Sequence, residues 1–185
     1  EKFATKTDFI AALRTNIENE GVLSTLTLND KEYLWSSEVI DALVDLGLVA
    51  WESTPYMAGL ECNPYIKWDE SLIRKYAAQI STPAGFETVS LSVSSPDLVN
   101  NLPSFNWDWD VLSKNVSLIK NERFLDQHSE QLNWTIVIST IDDVEYLQNI
   151  QDIQLYLADD DKPAWTAFSL KADLSYIRQS PRAPW

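Results

Sequence analysis

Short apolar clusters recur along the chain, each led by a polar residue and spaced as one face of a helix. They read Asp8-Phe-Ile-Ala-Ala-Leu13, Glu38-Val-Ile-Asp-Ala-Leu43, Ser71-Leu-Ile-Arg-Lys-Tyr76 and Asp97-Leu-Val-Asn-Asn-Leu102. Further along come Arg123-Phe-Leu-Asp-Gln-His128, Asp152-Ile-Gln-Leu-Tyr-Leu157 and Asp173-Leu-Ser-Tyr-Ile-Arg178. In most copies apolar residues at i, i+1 and i+4 lay a narrow stripe on a short helix. An Asp or Ser ahead of the stripe can cap that helix or favour its positive N-terminus. The starts lie roughly 20 to 33 residues apart, within the period range of stacked repeats. A helix of about three turns cannot bury its stripe alone, so neighbouring helices are expected to stack.

A second signal alternates with the first: an aromatic residue followed by a short apolar stretch and a serine. It reads Phe86-Glu-Thr-Val-Ser90, Trp109-Asp-Val-Leu-Ser113 and Trp165-Thr-Ala-Phe-Ser169. Trp134-Thr-Ile-Val-Ile-Ser139 carries one extra residue, so Ile138 stands where serine is expected. In the N-terminal third, Trp35-Ser-Ser-Glu-Val-Ile40 and Trp68-Asp-Glu-Ser-Leu-Ile73 place a tryptophan just ahead of a helix, and Trp51 follows one after Gly47. Each indole is expected to act as a wedge between helices, burying on the order of 200 Å². The serine falls near the helix end, where its hydroxyl can satisfy free backbone groups. Ser94-Ser-Pro-Asp97 predicts a turn with Pro96 opening the next helix, and Ser180-Pro-Arg-Ala-Pro184 a break before Trp185.

With its two signals together, the chain resembles the Trp-rich helical repeat arrays of large microbial and viral proteins. Their units run approximately W-[ST]-x-x-L-I-x-x-[FY]…W-x-x-L-S-x-N. Trp109-Asp-Val-Leu-Ser-Lys-Asn115 is the best copy of the second half; Trp35–Ile40 and Trp68–Ile73 match the first. The resemblance implies a helical array with an interaction role and brings no catalytic residues. The expected fold is therefore all-α or mostly α, an irregular solenoid-like array. Minor β structure is an option at Thr88–Ser94 or Thr135–Ser139, which are rich in β-branched residues and serine. The pattern divides into an N-terminal segment, residues 1–66, and Trp-x-x-x-Ser repeats over residues 67–185. Together they are expected to form one continuous domain. Val39–Glu52 alternatively reads as a winged-helix element, a helix running into a wing strand. The first residue is Glu1, and the expectation is a piece of a longer protein.

Composition narrows the chemistry. The 185 residues include eight Trp against four Gly, one His and one Cys. Cys62 alone can form neither an internal disulfide nor a cysteine-based zinc site. His128 alone excludes His-pair metal motifs. The glycines are isolated and cannot build a phosphate-cradling loop. No apolar run reaches the ~18 residues a membrane span needs, and no signal peptide is legible, so a cytoplasmic location is expected. There are 28 acidic against 14 basic residues, a formal charge of −14. Half of each class falls on either side of Ser92. A charge of −14 argues against nucleic acid or anionic membranes as partners; spread this evenly, it reads first as a well-solvated acidic surface that aids solubility, and alternatively as a patch that steers a protein with a basic face.

The best catalytic candidate is the run Asp159-Asp-Asp-Lys162, which follows an apolar segment. Asp160 and Lys162 would hold the D-x-K positions of a Mg²⁺-dependent PD-(D/E)xK nuclease, with Asp142 or Asp143 upstream. A solvated acidic loop explains the same residues, and the net charge opposes a grip on DNA. His128 reads as a packed or surface helix residue, and Cys62 as a bystander thiol. Asp108/Asp110 and Asp69/Glu70 read as solvent faces. Asn115-Val-Ser117 and Asn133-Trp-Thr135 match the glycosylation sequon, taken as chance. Surface tryptophans could stack on sugars, but placement at helix junctions favours packing. The expected function is a non-catalytic scaffold surface with no metal, cofactor or catalytic residue, binding another protein or another domain of its parent chain. A Mg²⁺-dependent nuclease or nuclease-accessory domain and an acidic DNA-mimic inhibitor are the alternatives.

Overall fold

The computed structural model describes residues 7–8, 11, 35–45, 51, 59–143, 146–147 and 162–171. Among these residues every regular element is helical and there is no strand. The chain forms two compact units, one of Glu1–Ser92 with Ser104–Asn106, the other of Val93–Pro103 with Trp107–Trp185. No described helix is long and apolar enough to cross a membrane.

Unit 1 contains α1 (Ser37–Asp45), a 3-10 turn (Leu60–Cys62), α2 (Glu70–Tyr76) and α3 (Pro83–Leu91). The i, i+1, i+4 stripe is buried as its spacing requires: Val39, Ile40 and Leu43 on α1, and Leu72, Ile73 and Tyr76 on α2. Asp69 starts α2 by accepting the Leu72 N–H at 2.8 Å, so this acid is an N-cap and not a mere solvent face. Thr82 caps α3 through the Gly85 N–H at 3.1 Å, with Pro83 in the first turn. The Tyr76 hydroxyl donates to Asp41, and Lys75 Nζ stands 2.6 Å from the same carboxylate, tying α2 to α1. The hydrogen bond from Lys75, then that from Tyr76, holds Asp41 below the usual carboxylate range.

Unit 2 contains α4 (Pro96–Asn101), α5 (Trp109–Leu112), α6 (Val116–Ile119), α7 (Glu122–His128), α8 (Trp134–Thr140) and α9 (Lys162–Lys171). Several are a single turn long, too short to persist alone. Ser95, Asp108, Asn115, Asn121 and Asn133 each accept a backbone N–H of the helix they precede. Such a cap stabilises by about 1 kcal/mol. The segments α6 and α7 pack together, as do α8 and α9, over Leu118, Ile119, Phe124, Leu125, Val137, Ile138 and Phe168. Lys171 of α9 donates to the carbonyls of Ser139 (2.9 Å) and Ile141 (2.8 Å), placing a cation at the negative end of α8.

Both stretches considered for β structure are helical where they carry regular structure: residues 88–91 lie in α3 and Thr135–Ser139 in α8. Val89, Val137 and Ile138 are completely buried. Tertiary packing of these side chains on the core face outweighs their weak preference for strands. Of the winged-helix alternative, the helix is α1, while most of its following segment lies outside the described residues. The repeat copies at 152–157 and 173–178 and the break at 180–184 also lie outside them.

Candidate functional site

The segment Trp107-Asp-Trp-Asp-Val-Leu-Ser-Lys-Asn115 builds the best-defined constellation in unit 2. Trp107 is buried, and its indole N–H donates to the Leu102 carbonyl at 3.1 Å. Asp108 caps α5 through the Val111 N–H at 3.0 Å, so it too is an N-cap. Ser113 is fully buried at the end of α5. Its hydroxyl donates to the Trp109 carbonyl at 2.6 Å and accepts the N–H of Asn133 at 2.9 Å. Asn115 caps α6 and sends its amide back to the Val93 carbonyl at 2.7 Å. The serine and asparagine of the motif thus join stretches of chain 20 and 22 residues apart.

Asn133 also caps a helix and donates its amide. Its Oδ1 caps the Ile136 N–H at 3.3 Å, and its Nδ2 donates to Asp110 Oδ1 at 2.9 Å. Trp134, like Trp107, donates its indole N–H to the carbonyl five residues back, here Ser129 at 2.9 Å. The extra residue in this copy turns Ile138 into the core and leaves Ser139 exposed. Both sequon asparagines therefore spend their side-chain amides on the fold.

Four of the described tryptophans, Trp68, Trp107, Trp134 and Trp165, are buried as the wedge reading requires. Trp109 is only half-buried, and its ring lies 5.1 Å from that of His128. His128 in turn packs 4.7 Å from the ring of buried Phe124. Its Nε2 is 2.7 Å from Asn100 Oδ1, an atom that can only accept, so Nε2 carries the proton. Burial pushes the imidazole below its ordinary pKa of 6.5. His128 of α7 thus contacts the Trp109 ring of α5 and the Asn100 side chain of α4.

The residues considered for metal chemistry are placed differently. Asp159, Asp160 and Asp161 lie outside the described residues, and Lys162 is known only as the first residue of α9. Asp142 is 3.6 Å from Lys171 Nζ, while Asp143 accepts the Tyr146 N–H at 2.9 Å. Among the described residues no group of three or more His, Cys, Asp or Glu side chains could hold a metal ion. Cys62 is a half-buried thiol in the 3-10 turn. Glu70 forms an ion pair with Arg74 one turn on, at 2.8 Å.

Sequence reasoning gave Glu61 no role, yet it is completely buried in unit 1. Its carboxylate accepts the N–H groups of Ser81 (2.9 Å) and Thr82 (3.3 Å) and the Thr82 hydroxyl (2.5 Å). It therefore sits at the positive start of α3, where a negative charge is favoured. A Cβ at Gly85 would collide with this carboxylate. The spacing of Glu61 ahead of the Thr82-Pro83 helix start is the one signal the sequence offers, and it is too slight to single the residue out. No protein-family model, curated protein or solved structure matches the chain.

Proposed function

We propose that this chain is a non-catalytic helical-repeat scaffold, acting in the cytoplasm, and akin to the Trp-rich repeat arrays it resembles. Its acidic surface binds another protein, or another domain of a longer parent chain, through a basic face. The observation that carries this reading is the Ser113–Asn133 hydrogen bond: a motif serine at the end of one Trp helix receives the cap of the next. The motif serine and asparagine bond to neighbouring stretches of chain, which supports a stack in which each unit contacts its neighbours. Acidic residues outnumber basic ones two to one in each compact unit, so long-range attraction draws a basic partner to either. The test is calorimetric titration of the chain with a partner isolated from its native host, at rising salt. Affinity is expected to fall at least about tenfold between low and high salt; a salt-independent affinity refutes the electrostatic reading.

A further inference from the structure

We propose that α9 is a strap closed by the charge of one amine, that of Lys171, and that acylation of this amine opens the strap's end. The device lies within unit 2 and is independent of any partner. Ala164, Trp165 and Phe168 are buried at i, i+1 and i+4 on α9, which packs on α8. Beyond Phe168 the strap turns to solvent: Ser169 is exposed, and Leu170 is 82% exposed. The last turn reaches the exit of α8 through the Lys171 side chain.

The last carbonyls of a helix have no partner within it. Here Lys171 Nζ donates to the Ser139 carbonyl at 2.9 Å and the Ile141 carbonyl at 2.8 Å, and it stands 3.6 Å from Asp142 Oδ1. Three oxygens thus meet an ammonium, which has three N–H donors and no acceptor. The Lys171 side chain is 25% exposed and that of Asp142 fully exposed, so the two carbonyls carry the contact. Acylation by an acyl phosphate turns this ammonium into a neutral amide. The nitrogen lone pair bonds to the acyl carbon, the bond from that carbon to the phosphate oxygen breaks, and phosphate leaves. One displaced proton goes to the phosphate and the other to water. Attack needs the lone pair, so it proceeds while the amine is out of its cradle, and the acyl group then bars return. The product keeps a single N–H, has lost its charge and brings a carbonyl oxygen that the three oxygens repel.

The experiment treats the full chain with acetyl phosphate and follows each lysine by mass spectrometry. In the native chain Lys171 is expected to react about tenfold more slowly than exposed Lys114 and Lys120, and in urea at their rate. Chain synthesised with Lys171 already acetylated, and the neutral mimic Lys171→Gln, should exchange the backbone amides of residues 168–171 about tenfold faster. Lys114→Gln, the same charge change on an exposed residue, should leave that exchange within about twofold, as should Asp142→Asn. Equal reaction of Lys171 and Lys114 in the native chain shows an amine that nothing holds and overturns the latch. Unchanged exchange in the acetylated chain overturns it too. An acceleration by Asp142→Asn equal to that by Lys171→Gln overturns it in favour of a surface ion pair. The reaction rates are read on the unaltered chain, so they decide the matter even where Lys171→Gln fails to fold.

Discussion

In unit 2 the buried indole N–H groups of Trp107 and Trp134 each find a carbonyl five residues back. In unit 1 those of Trp35 and Trp68 are buried with no hydrogen-bond partner. For Trp68 the carbonyl five residues back belongs to Asn63, and it already accepts the Ile66 N–H. The two units also differ in what they bury to join helices. Unit 2 uses the neutral hydroxyl of Ser113, and unit 1 the carboxylate of Glu61. Each receives a backbone N–H from 20 residues further along, at or beside the cap of the next Trp or Phe helix. One connection is thus made by two chemistries: unit 2 makes it with a side chain of its repeating motif, and unit 1 with a residue outside any motif. The second solution is the more exposed to damage, because an ion and an orphaned donor are both costly to bury.

That contrast can be broken by substitution. The largest effect is expected from Glu61→Ala, which strands two N–H groups and a hydroxyl and should destabilise unit 1 by about 3 kcal/mol or more. Urea unfolding, with hydrogen exchange at Ser81 and Thr82, measures it. Gly85→Ala should cost about 1–3 kcal/mol through collision with the same carboxylate, and much less in the Glu61→Ala background. Additive losses in that double-mutant cycle would show that the two residues do not interact. Ser113→Ala should cost about 1–3 kcal/mol by leaving the Asn133 N–H unpaired, seen as faster exchange of that amide. If it costs as much as Glu61→Ala, the distinction between the units fails.

A subtler comparison sets Trp68→Phe against Trp107→Phe. Both lose similar volume, but only Trp107 gives up a hydrogen bond, so its variant should be worse by about 1 kcal/mol. Equal losses would mean that the indole bonds of unit 2 add no net stability. The smallest effect is expected from pH. Burial lowers the folded-state pKa of His128 below 6.5, so the unfolded chain binds the proton more readily. Its contribution is complete above that unfolded value and is lost as pH falls through the folded one. The wild-type melting temperature should therefore decline more steeply below pH 6.5 than that of His128→Gln; parallel declines would remove His128 from the account.

Much of the helical framework was legible because its determinants are local. Val39, Ile40 and Leu43, or Leu72, Ile73 and Tyr76, declare a buried stripe within six residues of sequence. Ser95-Pro96 declares a helix start with equal economy. Asp69 and Asp108 were legible only as acids, since a cap is recognised once the first helical residue is known. In sequence Trp109 looks like any other wedge, and its half-exposure separates it from buried Trp107 two positions away. Glu61 was beyond sequence pattern altogether. Its partners are 20 residues distant, and no periodicity marks a carboxylate that is buried to serve a single helix start.

The Ser113–Asn133 connection also acts as a ruler. A hydroxyl that must meet one particular amide 20 residues later fixes the contour of everything between them. Asn133 is further pinned by Asp110, so a residue inserted or deleted within 114–132 would displace two bonds together. Ordinary surface loops absorb such length changes at little cost. Here two bonds hold the intervening segment to a set length, so it should resist single-residue insertion or deletion.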